Sequence, residues 1–185
     1  GAPALTADDI FQITVVNQND DPIINDETLT GVSELANNTD SAGTISTASD
    51  PDTSYGDTLT YSIVSGNPDG SDTDSTPVFA INGSTGEITV ADSDELDYET
   101  TTSYTLVVQV EDAGGLTDTA NITVPIIDAD DASPVITPGQ SGSVDEDAVD
   151  ETTVMTVIAT DSDTAGNLTG WTITGGNTDS IFRIE

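Results

Sequence analysis

The sequence has no cysteine and no histidine, and Arg183 is its only basic residue. Without cysteine the chain can form no disulfide, thiolate zinc site or cysteine nucleophile. Without histidine it has no imidazole general base and no His-dependent catalytic triad. The sequence also lacks a run of about 18 apolar residues and the apolar core of a signal peptide. We therefore expect any export signal or membrane anchor to lie outside this sequence.

Acidic residues are abundant instead. There are 35 Asp and Glu residues, the formal net charge is -34, and the pI is about 4.1. Such a charge repels phosphate backbones and anionic lipids, which excludes nucleic-acid binding and polybasic membrane attachment. Most of the acids are Asp, which disfavours helices because its side chain competes for backbone hydrogen bonds. With many Thr, Gly and Ser residues, the composition predicts β-strands joined by acidic loops.

The chain resembles itself at an offset of 111 residues. Residues 5–17 align without gaps with residues 116–128, and the acidic turn 50–52 aligns with 161–163. Self-similarity at a fixed spacing indicates tandem repeats. The two partial repeats cannot close a core alone. We expect the missing strands to come from a longer chain, which is favoured, or from neighbouring copies of this chain. The predicted units are the last strand of one repeat in 1–18, a complete repeat in 19–129, and the first half of another in 130–185.

Apolar and polar residues alternate along two long segments, 103–111 and 117–127. Alternation is typical of half-buried strands, and Gly114-Gly115 predicts a tight hairpin between them. Shorter alternating segments surround Tyr61 and Ile88. About seven short strands in roughly 110 residues predict a two-sheet β-sandwich, so the predicted fold class is all-β.

A subset of the acids recurs with the repeat. Asp pairs separated by one residue occur at 50/52, 128/130 and 161/163, and Glu34 recurs as Glu146. Surface solvation accounts for most of the acids, but it does not favour this spacing at matched points of a repeat. Carboxylates at this spacing share one side of an extended or turn backbone, which suits a hard cation with about six to eight oxygen ligands. The subset therefore indicates divalent-metal binding.

These motifs together resemble the cadherin repeat. The family has an early Glu, a D-x-D, a late L-D-x-E, an acid before the last hairpin and a D-x-N-D-x-x-P linker. They appear here as Glu34, Asp50-Pro51-Asp52, Leu96-Asp97-Tyr98-Glu99, Glu111-Asp112 and Asp128-Ala129-Asp130-Asp131-Ala132-Ser133-Pro134. The resemblance covers essentially the whole chain and implies tandem, immunoglobulin-like Greek-key β-sandwich repeats with calcium at each junction. The acidity, the lack of Lys and the loose linker favour a bacterial-type cadherin array.

The resemblance also implies calcium ligands at two junctions. The second junction, around residues 128–134, is implied to use side chains of Glu34, Asp97, Glu99, Asp128, Asp130, Asp131, Asp161 and Asp163, with backbone oxygens of Ala129 and Ala132. The first junction, around residues 17–22, is implied to use Asn17, Asn19, Asp20, Asp50, Asp52 and Asp112. Asp130 stands where the family has Asn. The first linker begins with Asn and is one residue shorter, which implies fewer or weaker ions there.

The expected function is that of a calcium-rigidified segment of a large extracellular adhesion or surface protein, secreted or at the cell surface. Its expected partners are calcium ions, adjacent repeats, and either the same protein on another cell or a surface glycan, without direct membrane contact. The alternative is a calcium-dependent carbohydrate-binding module, with Trp171 or Tyr55 as a stacking platform. Trp171 aligns with Tyr61, which favours packing in the core. An enzyme is not expected: Asp97 and Glu99 could serve glycoside hydrolysis, but nothing indicates a cleft.

Overall fold

The computed structural model of the chain describes residues 12–69, 75–163 and 168–184. In these ranges it contains β-strands and two short 3-10 helices, Pro51–Tyr55 and Ser93–Glu95, and no α-helix. The strands are β1 Glu27–Thr28, β2 Val32–Ser33, β3 Ser41–Thr44, β4 Thr60–Ser65, β5 Phe79–Ile81, β6 Glu87–Val90, β7 Ser103–Glu111, β8 Thr117–Ile127, β9 Val135–Ile136 and β10 Ala159–Thr160. Within the described ranges, no helix has the length and hydrophobicity needed to span a bilayer. The all-β fold class is confirmed.

Two sheets are formed by strands of the predicted complete repeat. The larger has the order β1-β8-β7-β4, with β2 also paired to β8, and the smaller has the order β3-β6-β5. Strands β7 and β8 form the long antiparallel hairpin that the sequence predicts, in register from Ser103 opposite Pro125 to Glu111 opposite Thr117. The alternating burial along both strands reflects the period-two pattern, since successive side chains point to opposite faces.

The core lies between the two sheets. Leu106, Val108 and Ile122 from the larger sheet are fully buried, as is Ile88 from the smaller one. Phe79 also packs edge-on against Tyr104, with ring centroids 5.3 Å apart. Each fully buried aliphatic side chain contributes about 1.5–3 kcal/mol, so this core holds the ends of the strands, and the loops on them, in fixed positions.

A glycine between β1 and β2 brings the first predicted metal ligand to the end of β8. Both short strands pair in parallel with β8, and Gly31 between them has a φ of +83°. A Cβ at this position would lie 2.5 Å from the carbonyl oxygen of Pro125, so only glycine allows the close approach. Just beyond β2, the Glu34 N–H donates to Ile127 O at 3.2 Å.

The described residues of the predicted partial repeats have little regular structure. Residues 1–11 of the predicted first strand lie outside the described residues, and 12–18 carry no strand. In the third unit, β9 pairs with β10, but no strand forms around Trp171, which is half-buried. A strand needs a hydrogen-bonded neighbour, and the described residues provide none for these segments. The predicted repeat boundaries and the 111-residue period remain predictions.

Candidate metal centres

The centre of the predicted second junction is Glu34. Its side chain is 5% exposed, and its two oxygens accept N–H groups from two other loops, Ala129 at 2.6 Å and Tyr98 at 2.7 Å. Carboxylate oxygens of Glu34, Asp97 and Glu99 lie within 4.8 Å of one another. Glu34 thus joins the end of β2, the loop before β7 and the linker after β8 at one point.

A second group of carboxylates shares Glu99 and extends the cluster into the predicted following repeat. Oxygens of Glu99, Asp128 and Asp163 also lie within 4.8 Å of one another. Asp163 is 6% exposed, and its Oδ2 accepts the Ala132 N–H at 2.9 Å. Three chain segments, the predicted complete repeat, the linker and the start of the following repeat, therefore meet in one acidic cluster.

Desolvation and mutual repulsion raise the pKa of two carboxyl groups in this cluster. Desolvation, together with the carboxylates of Glu34, Asp163 and Asp131, raises the pKa of Glu99. Desolvation, reinforced by Glu34, Asp163, Asp97 and Asp128, also raises the pKa of Asp131. Opposite charge nearby would reverse these shifts. The sequence contains no Lys or His, and Arg183 contacts Glu151 at 3.1 Å. The geometry therefore favours neutralisation by a cation from solution.

Shielded carboxylate oxygens show that the residues fit a metal ion. Asp161 Oδ1 and Asp163 Oδ1 at the second junction, and Asp50 Oδ2 at the first, are shielded from solvent and accept no hydrogen bond. A buried charged oxygen without a donor is costly. A hard divalent cation bound by oxygen ligands would supply the missing partner, and the donors here are carboxylates, which such cations prefer.

The first junction is assembled around Asp50, Asp52 and Asp112, which are each at most 6% exposed. Asp50 precedes the 3-10 helix Pro51–Tyr55, and its Oδ1 accepts the Asp52 N–H at 2.6 Å. Asp112 lies in the β7–β8 turn and accepts the Leu116 N–H at 2.8 Å. Oxygens of Asp50, Asp57 and Asp112 lie within 4.8 Å of one another.

The first linker contacts this cluster through amides. Asn17 Nδ2 donates to Asp52 Oδ1 at 2.6 Å, and the backbone N–H of Asp20 donates to Asp52 Oδ2 at 2.6 Å. Asn19 Nδ2 donates to Asp112 Oδ2 at 2.7 Å. Burial would raise the pKa of Asp112, but hydrogen bonds from the Leu116 N–H, the Asn19 amide and the turn outweigh it and lower that pKa. The linker and the turn therefore stabilise the charged form of Asp112.

The structure adds detail at several residues, whose roles as ligands remain predictions. Asp130 and Glu146 are exposed, and neither belongs to a carboxylate cluster among the described residues. Ala129 and Ala132 donate their N–H groups to Glu34 and Asp163, and the use of their carbonyl oxygens as ligands remains a prediction. Asp57 was missed, although it is a third Asp in the loop that begins with the Asp50/Asp52 pair.

Comparison with known proteins identifies the class of fold. The family model described as Cadherin domain matches residues 31–127, more than half of the chain. The chain therefore belongs to the cadherin domain family.

Individual relatives are long proteins. The chain is 31% identical over 190 residues to protocadherin Fat 4 of Mus musculus, covering 100% of this chain and 4% of that protein. It is 37% identical over 131 residues to protocadherin Fat 1 of Homo sapiens, covering 69% of this chain and 3% of that protein. The chain thus spans only a few per cent of these relatives.

Solved structures agree with this fold. The human desmocollin-1 ectodomain superposes with a TM-score of 0.62 at 26% identity, covering 80% of this chain and 27% of that one. Repeats EC22-24 of mouse cadherin-23 superpose with a TM-score of 0.52 at 28% identity, covering 77% of this chain and 44% of that one. The bacterial-type assignment remains a prediction.

Proposed function

We propose that this chain is a calcium-binding segment of an extracellular adhesion protein, in which ions at each junction fix adjacent repeats to each other. Membership of the cadherin family supports an adhesive, non-enzymatic role at the cell surface or in a secreted protein. The partners in this proposal are calcium, the adjacent repeats, and the same protein on another cell.

One observation carries the proposal. Asp163 belongs to the predicted following repeat, yet it lies within 4.8 Å of Glu99 from the complete repeat, and its Oδ1 is shielded without a hydrogen-bond donor. When bound there, calcium would supply a positive charge that carboxylates from both repeats share. Magnesium fits this arrangement poorly because it demands octahedral geometry and holds its waters.

The residues themselves determine what happens without the ion. Two carboxylates about 4 Å apart repel each other by about 1 kcal/mol in water and about 4 kcal/mol at an effective dielectric of 20. The core of the complete repeat consists of apolar side chains and includes none of the cluster carboxylates. Removal of calcium should therefore release the linker and let the repeats swing, while each sandwich stays folded.

A calcium titration combined with small-angle X-ray scattering tests this proposal. Calorimetry should show binding with dissociation constants of about 10⁻⁴–10⁻³ M, the range of extracellular modules. Chelation should increase the radius of gyration or the flexibility, whereas the far-UV circular dichroism of the β-sheets stays constant. Absence of heat at millimolar calcium, or identical scattering with and without chelator, would contradict the proposal.

Carbohydrate binding is the second candidate, and an exposed aromatic side chain favours it. Tyr55 is 74% exposed and borders a pocket of about 290 Å³ that is also lined by Asn17, Asn19 and Asp57. Aromatic rings beside polar groups suit a sugar. Glycan arrays of the wild type, Tyr55→Ala and Trp171→Ala distinguish the two candidates. Sugar binding that Tyr55→Ala abolishes while calcium binding persists would favour the module.

A further inference from the structure

We propose that Asp57 is an additional metal ligand at the first junction, which gives residues 19–129 a divalent-cation site built from their own carboxylates. This inference rests on the proposed function, since it concerns calcium at the same junction. It assigns a ligand outside the recurring motif, and it makes this site independent of a preceding repeat.

Two loops of the complete repeat converge here, the connection between β3 and β4 and the β7–β8 turn. Asp50 precedes the 3-10 helix Pro51–Tyr55, Asp57 follows it shortly before β4, and Asp112 lies in the β7–β8 turn. Their carboxylate oxygens lie within 4.8 Å of one another. This separation fits oxygens around one ion, because two ligands on opposite sides of calcium at about 2.3–2.6 Å are roughly 5 Å apart.

Hydrogen bonds fix Asp57 in this position. Its Oδ1 accepts the N–H of Thr58 at 2.7 Å and the N–H of Ala113 at 2.8 Å. The second bond ties the loop before β4 to the β7–β8 turn, 56 residues away. Both of these hydrogen bonds use Oδ1, so Oδ2 can serve a cation without loss of this cross-link.

A second observation in the same cluster points to a ligand. Asp50 is 6% exposed, and its Oδ1 accepts the Asp52 N–H at 2.6 Å. Its Oδ2 is shielded from solvent and accepts no hydrogen bond. An anionic oxygen removed from water needs a donor or a cation. A divalent ion between Asp50, Asp57 and Asp112 would meet that need.

The linker sequence gives Asp57 its significance. Asn17 and Asn19 occupy linker positions where the second linker has the acids Asp128 and Asp130. The first linker therefore offers less negative charge to an ion. Asp57 adds a carboxylate from the repeat itself. Since ligand charge tunes calcium affinity, this residue would offset part of the deficit.

Asp57→Asn separates the ligand role from the structural one. Asparagine retains a carbonyl oxygen that can accept the N–H groups of Thr58 and Ala113, but it removes the charge. Asp40→Asn is the matched control, because Asp40 is an exposed loop residue whose Oδ2 accepts the Asn37 N–H at 2.9 Å. Calcium titrations of the 19.0 kDa chain, monitored through the NMR signals of backbone amides, measure binding at each junction separately. The Ala113 amide reports the first junction, and the Ala132 amide reports the second.

In Asp57→Asn, the calcium dissociation constant at the Ala113 amide should rise about 10- to 100-fold, as for other losses from a metal site. The dissociation constant at the Ala132 amide of this variant should match the wild type. In Asp40→Asn, the dissociation constants at both amides should match the wild type. An unchanged dissociation constant at Ala113 would overturn the assignment and leave the proposed function intact. If calcium moves neither amide in the wild type, the proposed function fails as well. If amide shifts throughout the variant show misfolding, Asp57→Ser replaces it, since its hydroxyl can also accept an N–H.

Discussion

Replacement of Glu34 by glutamine distinguishes a metal ligand from a structural hydrogen-bond acceptor. The two carboxylate oxygens accept N–H groups from Ala129 at 2.6 Å and Tyr98 at 2.7 Å. Glutamine keeps one acceptor oxygen and replaces the other with an NH₂ group, which cannot accept. One hydrogen bond to a charged group is thereby lost, which should lower the free energy of unfolding by about 1.5–3 kcal/mol.

The same substitution removes repulsion. Oxygens of Glu34, Asp97 and Glu99 lie within 4.8 Å of one another. Asp97 and Glu99 both repel the Glu34 carboxylate, and because these two side chains are exposed, water screens the repulsion. Relief of this repulsion offsets part of the lost hydrogen bond. In chelator, Glu34→Gln should therefore lose less stability than the hydrogen bond alone would cost.

In the presence of calcium, Glu34→Gln should be clearly less stable than the wild type, because calcium stabilises the wild type more. Free calcium at 100 times its dissociation constant stabilises a folded protein by about 2.7 kcal/mol, and each tenfold loss of affinity removes about 1.4 kcal/mol. Urea denaturation with chelator and with calcium measures both differences. Glu34→Ala, which removes both acceptors, should be destabilised in both conditions. If Glu34→Gln lowers the free energy of unfolding by the same amount with and without calcium, the metal-ligand role is refuted.

The remaining predictions concern the second junction and pH. Asp131→Ala should weaken calcium binding there about tenfold, whereas Asp40→Ala should not; equal calorimetric titrations would contradict this. In chelator, the raised pKa values of Glu99 and Asp131 mean that the folded state holds their protons more tightly. Thermal stability should therefore rise as pH falls from neutral through those values, and fall only in stronger acid, where Asp112 with its lowered pKa protonates. With calcium bound, thermal stability should fall as soon as the pH drops below neutral, because protons compete with calcium for the ligands. Melting temperatures that change in the same direction with pH in chelator and in calcium would count against the site.

Local patterns predict the parts of the fold that depend on neighbouring residues. Strands β7 and β8 have the bounds that the alternation indicates, and the turn between them falls at Gly114 and Gly115. Strands β1 and β2 were not predicted, because two residues carry no period. Their parallel pairing with β8 depends on the positive φ of Gly31 and on the close approach to Pro125, which the linear sequence does not reveal.

The site shows the same division between local and long-range information. Glu34, Asp97, Glu99 and Asp163 are recognisable because each belongs to a motif with fixed spacing. Asp57 has no matched position in such a motif, and its role depends on Asp112, 55 residues away, and on the hydrogen bond from Ala113. Burial matters too: Asp92 is 6% exposed with a shielded Oδ2, yet it belongs to no carboxylate cluster among the described residues. Composition cannot separate these acids from the solvated majority.

The two clusters lie at opposite ends of the β7–β8 hairpin. Asp112 precedes β8, Ala129 follows it, and the 11 residues of β8 span about 35 Å at roughly 3.3 Å per residue. This distance exceeds the Debye length of about 8 Å at physiological salt several-fold, so the charge of one cluster is screened from the other. Under the proposed function, each junction therefore binds calcium independently, and the hairpin connects them only mechanically. Local substitutions, such as Asn17 and Asn19 in place of linker acids, can then tune one junction of an array without altering the next.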